Sequence, residues 1–478
     1  MRKTKIVATL GPATESREMI EKFIILGVNV FRLNFSHGDH ESHRTLIRHI
    51  RAIAGRLDMP VAILQDIAGP KIRVGTIAGI MPLETGDRLT IYPDRTKGGE
   101  LEITISHPEI LRTLAPGAAI YFADGAIRAE VRARVGEAVV VEILVGGKLT
   151  SRKGVNVPLA DLQIDLVTEK DKADIAFGVA EDVDYIALSF VRNSADITRV
   201  RKLVAGFGGD VPLVAKIELA AALDHLEEIT AAADGVMVAR GDLGVELGVH
   251  LVPVVQKRII AAANRHGIPV ITATQMLSSM LVSPFPTRAE VSDIANAVLD
   301  GTDAVMLSDE TAVGDYPEEA IKVLGQTIAA TETIYPWDRQ VPRLADSREA
   351  IAAAATQLAS NSGADGIVCF THSGLAVEKI AQHRPATRLI GVTSNPRTYR
   401  QLALVWGVEP FFIEISHANS DKAISLFVKH ARLAGFIRET ATYIVIIGHH
   451  SNLTGTTNQV QIMDPQAFER MQAMLRGL

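Results

Sequence analysis

Two short segments carry the residues best suited to act together chemically: Lys216-Ile217-Glu218 and Arg240-Gly241-Asp242. Each closes a short apolar run, 212–215 and 235–239, bounded by turn-forming residues. Such runs read as strands buried in a parallel sheet. A lysine and two carboxylates at the carboxyl ends of two such strands suit a divalent metal held beside an anionic substrate.

The elements that must position them recur along the chain. Strand-like runs fall at 5–10, 28–35, 61–66, 183–190, 212–218, 235–240, 269–274 and 304–308, most with helical periodicity between them. Eight such β/α units predict an α/β fold built on a closed (β/α)8 TIM barrel, whose active face lies at the carboxyl ends of the strands. Collecting polar residues there adds Arg32, Asn34, Ser36 and His37 after the second run. Asp66 ends the third, with Lys71 and Arg73 just beyond. Thr274 and Gln275 follow the seventh, and Ser308 and Glu310 the eighth. Cations and carboxylates in this number suit a phosphorylated, metal-bound anion. Taken singly, several have plainer readings: Asp66 and Ser308 as structural groups, His37 as a helix cap, Thr274 as a hydroxyl satisfied near a turn. Convergence favours function, because an unpaired cluster this dense is costly as structure alone.

With 478 residues the chain has room for about three domains at ~150 residues each. The gap between the third and fourth runs is far longer than a crossover helix. Residues 75–152 alternate apolar and polar side chains with Gly and Pro punctuation, which predicts a small all-β domain inserted over the active face as a lid. From 347 a new pattern begins: a helix at 351–360 and strands at 366–370, 388–392 and 443–447, a C-terminal doubly wound α/β domain. The expected division is a catalytic barrel of residues 1–70 and 155–340, a lid of 71–154 and a regulatory domain of 341–478.

Composition is ordinary for a globular protein, 47% hydrophobic and 22% charged, and the net charge of −6 argues against non-specific nucleic-acid binding. The single cysteine, Cys369, excludes an internal disulfide and fits a reducing compartment. The first apolar run is too short for a signal-peptide core, and none approaches the ~18 residues of a membrane span. A cytoplasmic location with no membrane partner is expected.

Six stretches resemble the pyruvate kinase family, in order and over nearly the whole chain: 30–38 (VFRLNFSHG), 69–73 (GPKIR), 153–158 (KGVNVP), 239–246 (ARGDLGVE), 272–277 (TATQML) and 286–293 (PTRAEVSD). The resemblance implies phosphoryl transfer from phosphoenolpyruvate to ADP, then protonation of the enolate to pyruvate. It assigns Mg²⁺ (or Mn²⁺) to Glu218 and Asp242, and the transferring phosphoryl group to Arg32 and Lys216. Main-chain N–H groups near Gly241 and Asp242 would take the substrate carboxylate, and Thr274 would relay a proton to the enolate carbon. Asn34, His37, Arg73 and Lys153 would contact the nucleotide. It also implies a homotetramer, with 286–293 at a subunit contact.

Three departures from the family pattern stand out. Many members bind potassium through residues matching Asn34, Ser36, Asp66 and position 67. Here Ile67 replaces Thr and Lys71 replaces an acidic residue, so the ammonium of Lys71 is expected to supply the charge and make potassium unnecessary. Near the eighth run, Asp309 replaces Gly and Val313 replaces a common Lys, so no role of that Lys carries over. The loop at 371–376 lies after a strand and before a helix, the setting of a phosphate cradle. In members regulated by fructose-1,6-bisphosphate this loop is richer in hydroxyls and bases. Thr371 and Ser373, with 455–458, could take a phosphorylated effector, or form a structural turn. Two competing functions are a Mg²⁺-dependent barrel lyase or aldolase, which needs no nucleotide lid, and a catalytically silent binding protein, which need not keep Lys216, Glu218 and Thr274.

Overall fold

The computed structural model describes residues 2–94, 100–158, 165–337, 347–414, 420–448 and 457–476. Eight parallel strands close into a barrel: β1 Lys5–Thr9, β2 Val30–Asn34, β3 Ala62–Asp66, β4 Tyr185–Leu188, β5 Leu213–Ile217, β6 Gly235–Ala239, β7 Val270–Ala273 and β8 Ala304–Leu307. Each predicted run contains one of them. The strands are apolar throughout because both faces are covered, and the period-two alternation splits them between two cores. Val7 points to the interior with Val30, Leu64, Val214 and Ile271. Ile6 and Ala8 point outward to the surrounding helices. Ala403 and Leu404, from the C-terminal part of the chain, plug the interior from below.

Between β3 and β4 the chain forms a six-stranded sheet and a two-stranded ribbon. Its longest hairpin pairs Ile127–Val135 with Ala138–Val145, and the exposed-buried alternation packs Val131, Val141 and Ile143 into a core separate from the barrel. The expected all-β insert is present. It joins the barrel where Arg73 bridges Gly154 in antiparallel fashion.

The last sheet has the order Val408–Phe412, Arg388–Thr393, Gly366–Phe370, Tyr443–Gly448, Thr457–Met463, with the final strand antiparallel. Helices cover both faces, and alternate residues of one strand serve them: Val368 and Phe370 on one side, Ile367 and Cys369 on the other. The three strands read from the sequence are its centre. Both edge strands escaped that reading, since Val408–Phe412 contains Pro410 and Thr457–Met463 is rich in polar residues. The expected boundary at 340/341 lies outside the described residues, as do Gly455 and Thr456. Among the described residues, no helix is long and apolar enough to cross a membrane.

Candidate active site

The barrel's carboxyl end gathers the predicted groups around one buried carboxylate. Asp66 ends β3. Its Oδ2 accepts from Arg32 Nε at 2.7 Å, and its Oδ1 lies 3.2 Å from Lys216 Nζ. Lys216 also reaches Glu218 Oε1 at 2.8 Å and donates to Ser189 Oγ at 2.7 Å. Arg32 donates a second bond, Nη1 to Thr9 Oγ1 at 3.1 Å. Burial disfavours the charges of Asp66 and Lys216, but mutual attraction outweighs it. Asp66 stays below the usual carboxylate range through Lys216 and Arg32, and Lys216 rises above its ordinary value through Asp66 and Glu218. Lys216 is therefore a fixed cation at any working pH.

Glu218 behaves in the opposite sense. Burial raises its pKa, Lys216 opposes the rise, and the charge of Asp242 adds to it. Asp242 lies in the first turn of the helix Arg240–Leu247, which begins directly after β6. Two neighbouring carboxylates that repel one another suit a divalent cation. Mg²⁺ takes one or two protein carboxylates and completes its shell with water and substrate oxygens.

Thr274 and Gln275 both hold left-handed backbone angles, φ 67° and 55°. Strain of this kind persists only where the surroundings enforce it. Arg240 enforces it here, donating Nε to Ala273 O at 3.2 Å and Nη2 to Thr274 O at 2.7 Å, with Nη1 on Asp293 Oδ2 at 2.6 Å. Thr274 Oγ1 in turn accepts from the Gly241 N–H at 2.8 Å. Arg240, gathered from the sequence as a site cation, is thus a buried clamp on the loop that presents Thr274.

The other predicted residues lie around this centre and beyond it. Asn34 Oδ1 accepts from the Ser36 N–H, a local turn just after β2. His37 is exposed and does not cap the following helix. The cap of His40–Leu57 is Asp39, reciprocated by Ser42, because Asp has an acceptor of the right length and His37 lies two residues too early. At the base of the β insert, Arg73 donates to Arg152 O, the Lys153 carbonyl accepts from Val74 N–H, and the Lys71 ammonium sits 3.6 Å from Asp124 Oδ1. The Ile67 carbonyl accepts from Ser189 Oγ at 2.8 Å. Far from these, Thr371 Oγ1 accepts from Gly374 N–H at 2.9 Å and Ser373 is exposed, in a loop with φ 92° at Gly374. Near β8, Glu310 is buried and accepts from the Leu277 and Ser308 N–H groups, while the buried Ser308 hydroxyl has no partner among the described residues.

Two residues at the site were overlooked in the sequence. Ser189 takes the ammonium of Lys216, and the Phe190 N–H donates to Glu218 Oε2 at 2.7 Å from a left-handed φ of 59°. Both follow β4, and collecting polar residues at the end of that strand would have found Ser189.

Two family models match the chain: pyruvate kinase, barrel domain, over residues 1–321, and pyruvate kinase, alpha/beta domain, over 349–463. Pyruvate kinase 2 of Synechocystis sp. is 43% identical over 468 residues, covering 96% of this chain and 79% of that protein. Pyruvate kinase of Geobacillus stearothermophilus is 42% identical over 472 residues, covering 96% and 80%. Pyruvate kinase of Staphylococcus aureus strain MRSA252 is 41% identical over 470 residues, covering 97% and 80%. With family models over most of its length and relatives this similar across nearly all of it, the chain belongs to the pyruvate kinase family of phosphotransferases.

Proposed function

We propose that this chain moves the phosphoryl group of phosphoenolpyruvate to ADP, giving pyruvate and ATP, with Mg²⁺ and without a need for potassium. The observation that carries the reading is the arrangement around Asp66: two fixed cations, Arg32 and Lys216, beside the carboxylates Glu218 and Asp242. Phosphoryl transfer needs little covalent help and much positioned charge. The bond from phosphorus to the enol oxygen breaks as one to an ADP β-phosphate oxygen forms, and the enolate then takes a proton at its terminal carbon.

In this reading Arg32 grips the phosphoryl group and Lys216 offsets charge on it and on the enolate oxygen. The N–H groups at the start of Arg240–Leu247 receive the carboxylate, as helix starts do for anions. Thr274 Oγ1, already the acceptor for Gly241, orders the proton path to the enolate carbon. Arg73 and Lys153 at the lid base, with Asn34 and His37 after β2, contact the nucleotide. Glu218 and Asp242 would hold Mg²⁺, which neutralises charge on the substrate oxygens when bound.

For potassium, the ligand set would be Asn34, Ser36, Asp66 and the Ile67 carbonyl. We read Lys71 as the substitute cation, on the strength of the Lys71 and Ile67 replacements. Its present partner is Asp124, so it must exchange that partner for the cleft as the lid moves. The division into barrel (1–70, 155–340), lid (71–154) and regulatory domain (341–478), a homotetramer using 286–293, a cytoplasmic location and a phosphorylated effector at Thr371 and Ser373 belong to the same reading. Pyruvate formation from phosphoenolpyruvate and ADP, compared in potassium and in tetramethylammonium chloride, tests it. Equal rates support it, and a rate seen only with potassium removes the Lys71 assignment.

A further inference from the structure

Between the base of the β insert and the barrel lies a cavity of about 500 Å³ whose lining includes Lys71. Lys71 and Asn156 line it from the lid base, Phe190 after β4, Leu219 and Ala220 after β5, and Arg258 from the helix Val252–His266. Asn34, His37, Arg73 and Lys153 are not among its lining residues. Its size is that of a pocket for a small organic molecule.

We infer that this cavity binds a small amphipathic organic anion, and that its occupancy is transmitted to Glu218 through Phe190. Three features set the ligand's chemistry. The interior is largely apolar, with Leu219 beside Ile72, Leu223 and Leu247. Arg258 donates Nη2 to the Leu223 carbonyl at 2.8 Å, and its remaining N–H groups meet no acceptor among the described residues. The Asn156 Oδ1 is buried at the same wall without a partner among the described residues, an acceptor that calls for an N–H or O–H. Arg192, also in the wall, has its fork on Asp196 and shapes the cavity rather than binding. Asp224 and Glu246 reach the lining too, which disfavours a doubly charged phosphate and favours one negative charge with one donor.

The transmission is short. Phe190 lines the cavity, and its N–H holds Glu218 Oε2 at 2.7 Å from a left-handed φ of 59°. Its ring is tightly packed against Gly69, where a Cβ would come within 2.9 Å of it. Leu219 is the residue directly after Glu218. A ligand pressing on Phe190 and Leu219 therefore acts on the carboxylate from both sides. The inference rests on the preceding reading only in taking Glu218 as a metal ligand.

The test uses the full chain and 8-anilinonaphthalene-1-sulfonate, an aromatic body with one sulfonate and one N–H. Fluorescence titration reads its binding, and electron paramagnetic resonance reads Mn²⁺ binding with and without it. The expected result is a saturable site that ADP does not displace, weakened about ten-fold by Arg258→Gln, as loss of a charge-assisted bond implies, and blocked by the cavity-filling Ala220→Leu. Saturation with the probe then shifts Mn²⁺ affinity by about five-fold or more, and Mn²⁺ shifts probe affinity equally. Absence of saturable binding, displacement by ADP, binding unchanged in both variants, or Mn²⁺ affinity unmoved by the probe overturns the inference. These are binding readouts, so they stand whether or not the enzyme turns over phosphoenolpyruvate.

Discussion

Arg32 and Lys216 hold opposite oxygens of a single buried carboxylate, Asp66, at 2.7 and 3.2 Å. The two cations come from strands far apart in sequence, and one anion fixes the spacing between them. Asp66→Asn keeps the shape and removes the charge. The expected result is a fall in kcat/KM for phosphoenolpyruvate of about 100-fold or more. Leaving two buried cations short of a partner should also cost about 3–5 kcal/mol in unfolding free energy. Steady-state kinetics and urea titration read both, and kinetics within a few-fold of the parent would show that Asp66 does not set the cations' positions.

Arg240 holds the loop that carries Thr274 through the carbonyls of Ala273 and Thr274. Arg240→Lys retains the charge and loses the planar fork that holds two carbonyls and Asp293 together. We expect kcat to drop about ten-fold or more, a loss of the size that positioning effects produce, with KM for phosphoenolpyruvate changed far less. Asp293→Asn should move kcat in the same direction. A variant that loses only thermal stability, at full kcat, would make Arg240 a structural tie alone.

Lys71 and Asp124 meet across the lid base at 3.6 Å, a partly exposed pair of modest energy. Asp124→Asn should release Lys71 and lower KM for phosphoenolpyruvate in potassium-free buffer by about two- to five-fold, the range such pairs span. Lys71→Glu should instead make turnover depend on potassium. If Lys71→Glu runs equally well in tetramethylammonium, Lys71 is not the substitute cation.

A pH effect is built into the junction of barrel and C-terminal sheet. Burial, with the negative charges of Asp234 and Asp303, pushes the Glu378 carboxyl up to about 7, against the opposing charge of Lys379. Because the folded protein holds this proton more tightly than the unfolded chain, the favourable contribution is complete below the ordinary carboxylate pKa. It declines as pH rises from there to about 7 and is absent above. Glu378→Gln should therefore match the parent in stability at pH 4 and exceed it at pH 8 by on the order of 1–3 kcal/mol. Denaturant unfolding at the two pH values checks this, and equal stability at pH 8 would count against it.

The sequence made the barrel legible because fully buried strands are uninterrupted apolar runs, and the strand-end rule then picked out Arg32, Asp66, Lys216, Glu218, Asp242 and Thr274. Pairing was not legible. Arg240 reads like a site cation, yet its partner Asp293 lies 53 residues on and only the packed helix Arg288–Asp300 brings it near. Phe190 contributes through its backbone N–H, which no residue type announces. Lys71 was read from its replacement of an acidic residue, and its pairing with Asp124 at 3.6 Å, far along the chain, was not legible there.

The most direct test of the account is the initial rate of ATP formation from phosphoenolpyruvate, ADP and Mg²⁺, measured for the parent and for Lys216→Met. The account predicts ready turnover by the parent and a loss of about 1,000-fold in kcat for the variant, the upper range for one preorganised charge. No ATP from folded parent protein, or a variant as fast as the parent, would contradict it.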